Sequence, residues 1–136
     1  MTRDTIFSLT LDVRDYECDL QGIVNNSVYQ HYLEHARHRF LREKGVDFAA
    51  LTARGIHLVV IKAELEYKQS LKPNDQFTVS VQLQREGRIR WVFHQEIHRT
   101  SDHALMLIGR IHGVGLNQRG RPQVIEEFEA LLAPEE

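Results

Sequence analysis

The sequence predicts one α+β domain, an antiparallel sheet covered by a single long helix. Three observations carry that prediction. Residues 27–44 place apolar side chains at helical spacing. Several later segments alternate apolar and polar residues with the period of two that marks a half-buried strand. Short turn signals separate those segments, and strands joined by hairpins pair antiparallel. A sheet with one apolar face needs a cover, which the helix can supply.

Taken in order, residues 6–13 set Phe7, Leu9, Leu11 and Val13 against Ser8, Thr10 and Asp12, which reads as a first strand. It leads into a turn closed by Gly22, and Asn25 or Asn26 then supplies a helix N-cap. The helix carries Val28, Tyr29, Tyr32, Leu33, Ala36, Phe40 and Leu41 on one stripe. Eighteen residues make a rod of about 27 Å. Gly45 suits its C-terminal stop, with Arg42 and Lys44 at the negative end of the dipole. A short helix follows over 47–53, and strands are expected over 56–70, 76–83, 89–99 and 104–116. The turns between them fall at 72–75 and at Glu86-Gly87. A short tail helix is expected over 124–132.

At 136 residues the chain has the length of one domain. An apolar fraction of 42% and a charged fraction of 26% are ordinary for a globular protein. A formal net charge of -2 argues against a general nucleic-acid binder. Cys18 is the only cysteine, so no internal disulfide can form, and a reducing cytoplasm is the expected location. It has no neighbouring base and reads as a partly buried structural thiol. No signal-peptide pattern and no membrane-spanning apolar run is expected. His31, His35 and His38 share a helix face, but the string His-Glu-x-x-His is absent, so a solvated or subunit-contact face is expected in place of a metal site. Neither a phosphate-binding Gly-rich loop nor the nucleophile elbow Gly-x-Ser-x-Gly is present.

The stretch with chemical potential is Asp19-x-x-Gly22-Ile23-Val24-Asn25-Asn26-x-x-Tyr29, followed by Glu34-x-Ala36-Arg37. It sets a carboxylate beside a helix N-terminus, whose free N–H groups favour developing negative charge. Asp-x-x-Gly is by itself a common turn; the whole string is what is specific. It resembles the hotdog-fold acyl-CoA thioesterases of the 4-hydroxybenzoyl-CoA thioesterase type. The resemblance implies a hotdog fold, an antiparallel sheet wrapped around a long central helix. It further implies that Asp19 attacks the thioester or activates water, and that the Asn26 backbone N–H polarises the carbonyl oxygen. Gly22, Ile23, Val24 and Tyr29 would line the substrate site, with no metal and no cofactor, coenzyme A being part of the substrate. Some members carry His where this chain has Asn26. Plant acyl-carrier thioesterases carry Asn and His at the positions of Gln21 and Ile23, so Asp19 would be the only side-chain catalyst in the motif.

Coenzyme A brings phosphate charge, so a basic cluster should meet it. Arg85, Arg88 and Arg90 flank Gly87, and Arg119 and Arg121 flank Gly120. His57 is a candidate to approach the site from a partner subunit. Long strands with open edges argue for a homodimer or homotetramer. The acyl group could instead arrive on an acyl carrier protein, or the pocket could bind acyl thioesters without hydrolysing them.

Overall fold

The computed structural model describes residues 6–132. The elements are β1 (Phe7–Asp12), α1 (Asn26–Glu43), α2 (Phe48–Ala53), β2 (His57–Tyr67), β3 (Gln76–Glu86), β4 (Arg90–Arg99), β5 (Leu105–Leu116), β6 (Pro122–Gln123) and α3 (Glu126–Glu129). Strands β1 to β5 form one antiparallel sheet in the order β1-β3-β4-β5-β2, with β6 paired to β5. This is the hotdog arrangement: a curved sheet around one long helix. Among the described residues no helix is long and apolar enough to cross a membrane.

The helix is held by its own sequence pattern. Tyr29, Tyr32, Leu33, Ala36, Phe40 and Leu41 are buried, one stripe of α1 against the sheet. Asn25 is the N-cap, its side chain accepting from the Ser27 N–H at 3.1 Å. The sheet answers with Phe77, Val79, Val81 and Leu83 of β3, Phe93 and Ile97 of β4, and Met106, Leu107 and Ile111 of β5. Gly109 lets the helix come close: a Cβ there would stand 2.8 Å from Leu33 Cδ1. Gly113 likewise makes room for the Trp91 indole.

Strand β2 departs from simple alternation. Among the described residues it pairs only with β5, which leaves its other edge open, and Ile61 forms a bulge between Val60 and Lys62. That extra residue accounts for the unbroken apolar run from Leu58 to Ile61. After Tyr67 the chain does not return as a hairpin. Residues 68–75 cross the end of the sheet and enter β3 three strands away. The tail also differs from expectation. The turn at 117–121 is a true hairpin, closed by the Asn117 N–H donating to Arg121 O at 2.8 Å, and it returns through β6. Helix α3 is consequently one turn, anchored by the buried Phe128.

Candidate functional site

The Asp19 turn is built on a buried carboxylate, Glu17. A short 3-10 turn at Asp15–Glu17 carries it inward, where Oε1 accepts from the Tyr32 hydroxyl at 2.7 Å and from the Arg14 N–H at 2.8 Å. Burial first, then this bond, push the Tyr32 phenol far above its ordinary range. The Glu17 carbonyl accepts from the Asn25 N–H at 3.0 Å, so the same residue ties the loop to the helix start. Sequence reading passed over Glu17; its signal was the spacing Arg14-x-x-Glu17, a capping pattern at a position without a long helix.

From there Cys18 bridges Val24, and the Asp19 N–H donates to Ile23 O at 2.9 Å. The loop closes through the Gly22 N–H donating to Asp19 O, with Gly22 at φ 76°, a left-handed conformation that favours glycine. Asp19 is exposed, and Oδ1 accepts from the Gln21 N–H at 2.9 Å. Cys18 is half-buried, and burial together with surrounding carboxylates pushes its thiol above the ordinary value. That suits a structural thiol and not a nucleophile.

Asn26 opens α1 and is exposed. Its N–H has no acceptor among the described residues, as expected at the first helical position. Its carbonyl accepts from the Tyr67 hydroxyl at 3.4 Å. Of the other motif residues, Val24 and Tyr29 lie in the core at 1% and 2% exposure, and Ile23 is half-buried. Tyr29 accepts from the Leu71 N–H at 3.0 Å, while the Val24 N–H donates to Leu71 O at 2.9 Å. These two residues clasp the 68–75 crossing to the Asp19 turn. Their observed contacts are with the scaffold.

The remaining candidates lie elsewhere. Strand β3 starts beside the Asp19 turn and ends at the Gly87 hairpin, ten residues and about 33 Å away. Arg85, Arg88 and Arg90 are therefore at the opposite end of the sheet within one protomer. Arg85 is committed to Glu129 at 2.6 Å, whereas Arg88 and Arg90 are exposed and have no ion pair among the described residues. His57 is exposed at that same far end, opposite Leu116. Arg119 and Arg121 follow on the neighbouring hairpin.

A groove between α1 and β2 joins the two ends. One cleft of ≈ 450 Å³ is lined by Ser27, Gln30 and His31 near the helix start. A second, of ≈ 410 Å³, is lined by Leu41, Phe48, Trp91, Phe93 and Phe128, with His57 at its rim. They share Glu34, Arg37 and Val60. Arg37, quoted in the motif but given no role, is half-buried at that junction. It donates to Gln95 Oε1 at 3.1 Å and lies over the Phe93 ring, 5.9 Å from its centroid. Burial lowers its pKa from the ordinary value, and the Glu34 charge opposes that shift. His31, His35 and His38 are exposed. Among the described residues no group of three His, Cys, Asp or Glu is placed to hold a metal.

Comparison with known proteins agrees with the fold. The family model described as the thioesterase-like superfamily matches residues 13–134. A chloroplastic acyl-acyl carrier protein thioesterase of Arabidopsis thaliana is 30% identical over 112 residues, which cover 82% of this chain and 59% of that relative's length. A solved protein of Aquifex aeolicus superposes with a TM-score of 0.83 at 29% identity, covering 93% of this chain and 99% of its own. The fold is also that of a 1,4-dihydroxy-2-naphthoyl-CoA thioesterase from Synechocystis, with a TM-score of 0.88 at 14% identity over 93% of this chain and 95% of the other. With a family match spanning the Asp19 turn, the central helix and strands β2 to β6, the chain belongs to the thioesterase-like superfamily.

Proposed function

We propose that this protein hydrolyses acyl-CoA thioesters, with Asp19 as nucleophile or general base and the Asn26 N–H as oxyanion donor. One observation carries the reading: the exposed Asp19 carboxylate and the Asn26 N–H, which has no acceptor among the described residues, are fixed at the two ends of one pinned loop, and Ser27, next to Asn26, lines a groove. Asp19 is exposed, so its carboxylate is open to a thioester or to a water molecule. Attack by Asp19 on the thioester carbonyl would form an acyl-enzyme anhydride and expel the coenzyme A thiolate; water then releases the acid and restores the carboxylate. Acting as base, Asp19 would instead take the proton from the attacking water. In both routes negative charge gathers on the carbonyl oxygen, where a helix-start N–H stabilises it.

The Arabidopsis relative favours a second reading, in which the acyl group arrives on an acyl carrier protein. The two substrates present the same thioester and differ in what surrounds it. Binding without hydrolysis is the remaining possibility on this scaffold. Hydrolysis assays on aromatic, short and long acyl-CoAs and on the matching acyl carrier thioesters separate all three. Turnover of CoA substrates above the blank supports the reading; binding with no turnover on either carrier sinks it. In a subunit pair joined antiparallel along β2, the His57 and arginine end of one copy would face the Asp19 end of the other. That pairing is what would let Arg88 and Arg90 meet the CoA phosphates.

A further inference from the structure

The groove holds a cation with no ion-pair partner among the described residues; the nearby Glu34 charge acts on it only from beyond contact distance. Arg37 is half-buried, and among the described residues no carboxylate forms an ion pair with it. A desolvated charge of this kind is costly unless something compensates it. The neighbours that hold it are neutral, Gln95 and the Phe93 ring. Gln95 is itself locked: it is 1% exposed, and Nε2 donates to Leu33 O at 3.0 Å, which leaves Oε1 aimed at Arg37. The guanidinium is thus fixed from behind by one N–H group, and the rest of its donor fork has no acceptor among the described residues. That fork matches a carboxylate.

Its position sets a ruler. Arg37 is eleven residues after Asn26, about 16 Å along the helix, and its side chain leans toward the N-terminus, so its head stands about 11 Å from the oxyanion position. Beyond it the second cleft is walled by Leu41, Phe48, Phe93 and Phe128. Trp91 belongs to that wall too, and its indole N–H is buried with no acceptor among the described residues. Glu34 at the same junction is exposed, so its repulsion of an incoming anion is screened by solvent.

We propose that Arg37 is a specificity residue that recognises a carboxylate at the far end of the acyl group, so that the favoured substrates are ω-carboxy acyl thioesters of medium length. This rests on the thioesterase reading for the direction in which the acyl group lies. The test pairs suberyl-CoA with octanoyl-CoA, equal in length and differing in the terminal carboxylate, on wild type, Arg37→Met and Arg37→Lys. Binding of free suberate and free octanoate is measured by calorimetry on the same three proteins.

Wild type should favour suberyl-CoA in kcat/KM, and Arg37→Met should lower the suberyl-to-octanoyl ratio at least about tenfold, the scale of a charge-assisted hydrogen bond. Arg37→Lys should keep part of the preference, since it retains the charge but not the fork. Wild type that binds suberate no better than octanoate, and hydrolyses suberyl-CoA no faster, overturns the inference without any variant. A folded Arg37→Met with an unchanged ratio also overturns it, as does one whose only effect is loss of the oligomer, which would make Arg37 a subunit contact. If no thioester is hydrolysed, yet suberate binds better than octanoate and Arg37→Met removes that difference, the hydrolase reading fails and the carboxylate site stands.

Discussion

Asp19 and Asn26 divide the proposed chemistry between a side chain and a backbone group, and that division can be tested separately. Asp19→Asn keeps the oxygen that accepts from the Gln21 N–H and removes the charge. It should lower kcat by at least about two orders of magnitude, the scale of losing a general base, with little change in the unfolding midpoint. Equal turnover by wild type and variant would exclude Asp19 from the reaction. Asn26→Pro removes the proposed oxyanion donor at a helix position where proline is well tolerated. It should abolish turnover in a folded protein, while Asn26→Ser, which keeps the N–H, should retain much of it. Tyr29 forecasts a different effect. Tyr29→Phe leaves the buried Leu71 N–H without its acceptor, which should cost about 1–3 kcal/mol in urea unfolding. An activity loss larger than that destabilisation explains would give Tyr29 a role beyond clasping the loop.

At the scale of elements, what was legible followed from local pattern. The stripe from Tyr29 to Leu41 gave the helix, and alternation in β1, β3 and β4 gave their buried faces. The N-cap choice was open because Asn25 and Asn26 are chemically equal; only the Ser27 N–H selects Asn25. Strand order was not legible, since the turn at 72–75 looks like a hairpin turn whichever strand follows. Nor was the split of the basic cluster from Asp19, because the distance between them is set by the length of β3. Arg37 and Gln95 are 58 residues apart, so their contact has no sequence signal. The β4–β5 connection adds a pH forecast. Asp102 is bound by Arg99 at 2.7 and 3.0 Å, which with the Ala104 N–H holds its pKa down to about 2. Glu64 and Glu127 are likewise held below their usual value by His112 and Arg54. A depressed carboxylate pKa stabilises the fold above the unfolded value, and that contribution is lost as pH falls through the folded one. The thermal midpoint should therefore hold steady from neutral pH to about 5 and decline below about 4. Asp102→Asn should remove part of the decline; an identical acid profile in that variant would show that the loop contributes nothing.

At the scale of the whole molecule, the longer of the two sheet edges, β2, is left unsatisfied by the described residues. Strand β2 runs eleven residues with one side unpaired, and Val60, Ile61 and Tyr67 are 52%, 46% and 48% exposed along it. Open edges of this length invite pairing with another chain, and a protein that stays in solution must cover or blunt them. Lys62, Glu64 and Glu66 blunt this edge only in part, because Lys62 and Glu64 already pair with each other and His112 holds Glu64 at 2.7 Å. Two copies joined antiparallel along β2 would cover both edges through one self-complementary contact, the commonest symmetry of soluble oligomers. That joining would also close the groove between α1 and β2, where Val60 is shared by both clefts. The expected state is a dimer or tetramer by light scattering at micromolar concentration. Val60→Lys combined with Ile61→Lys should shift it toward monomer and lower activity together, because the groove would lose its far wall. A monomeric wild type with full activity would contradict this, and so would a double variant that becomes monomeric while hydrolysing at the wild-type rate.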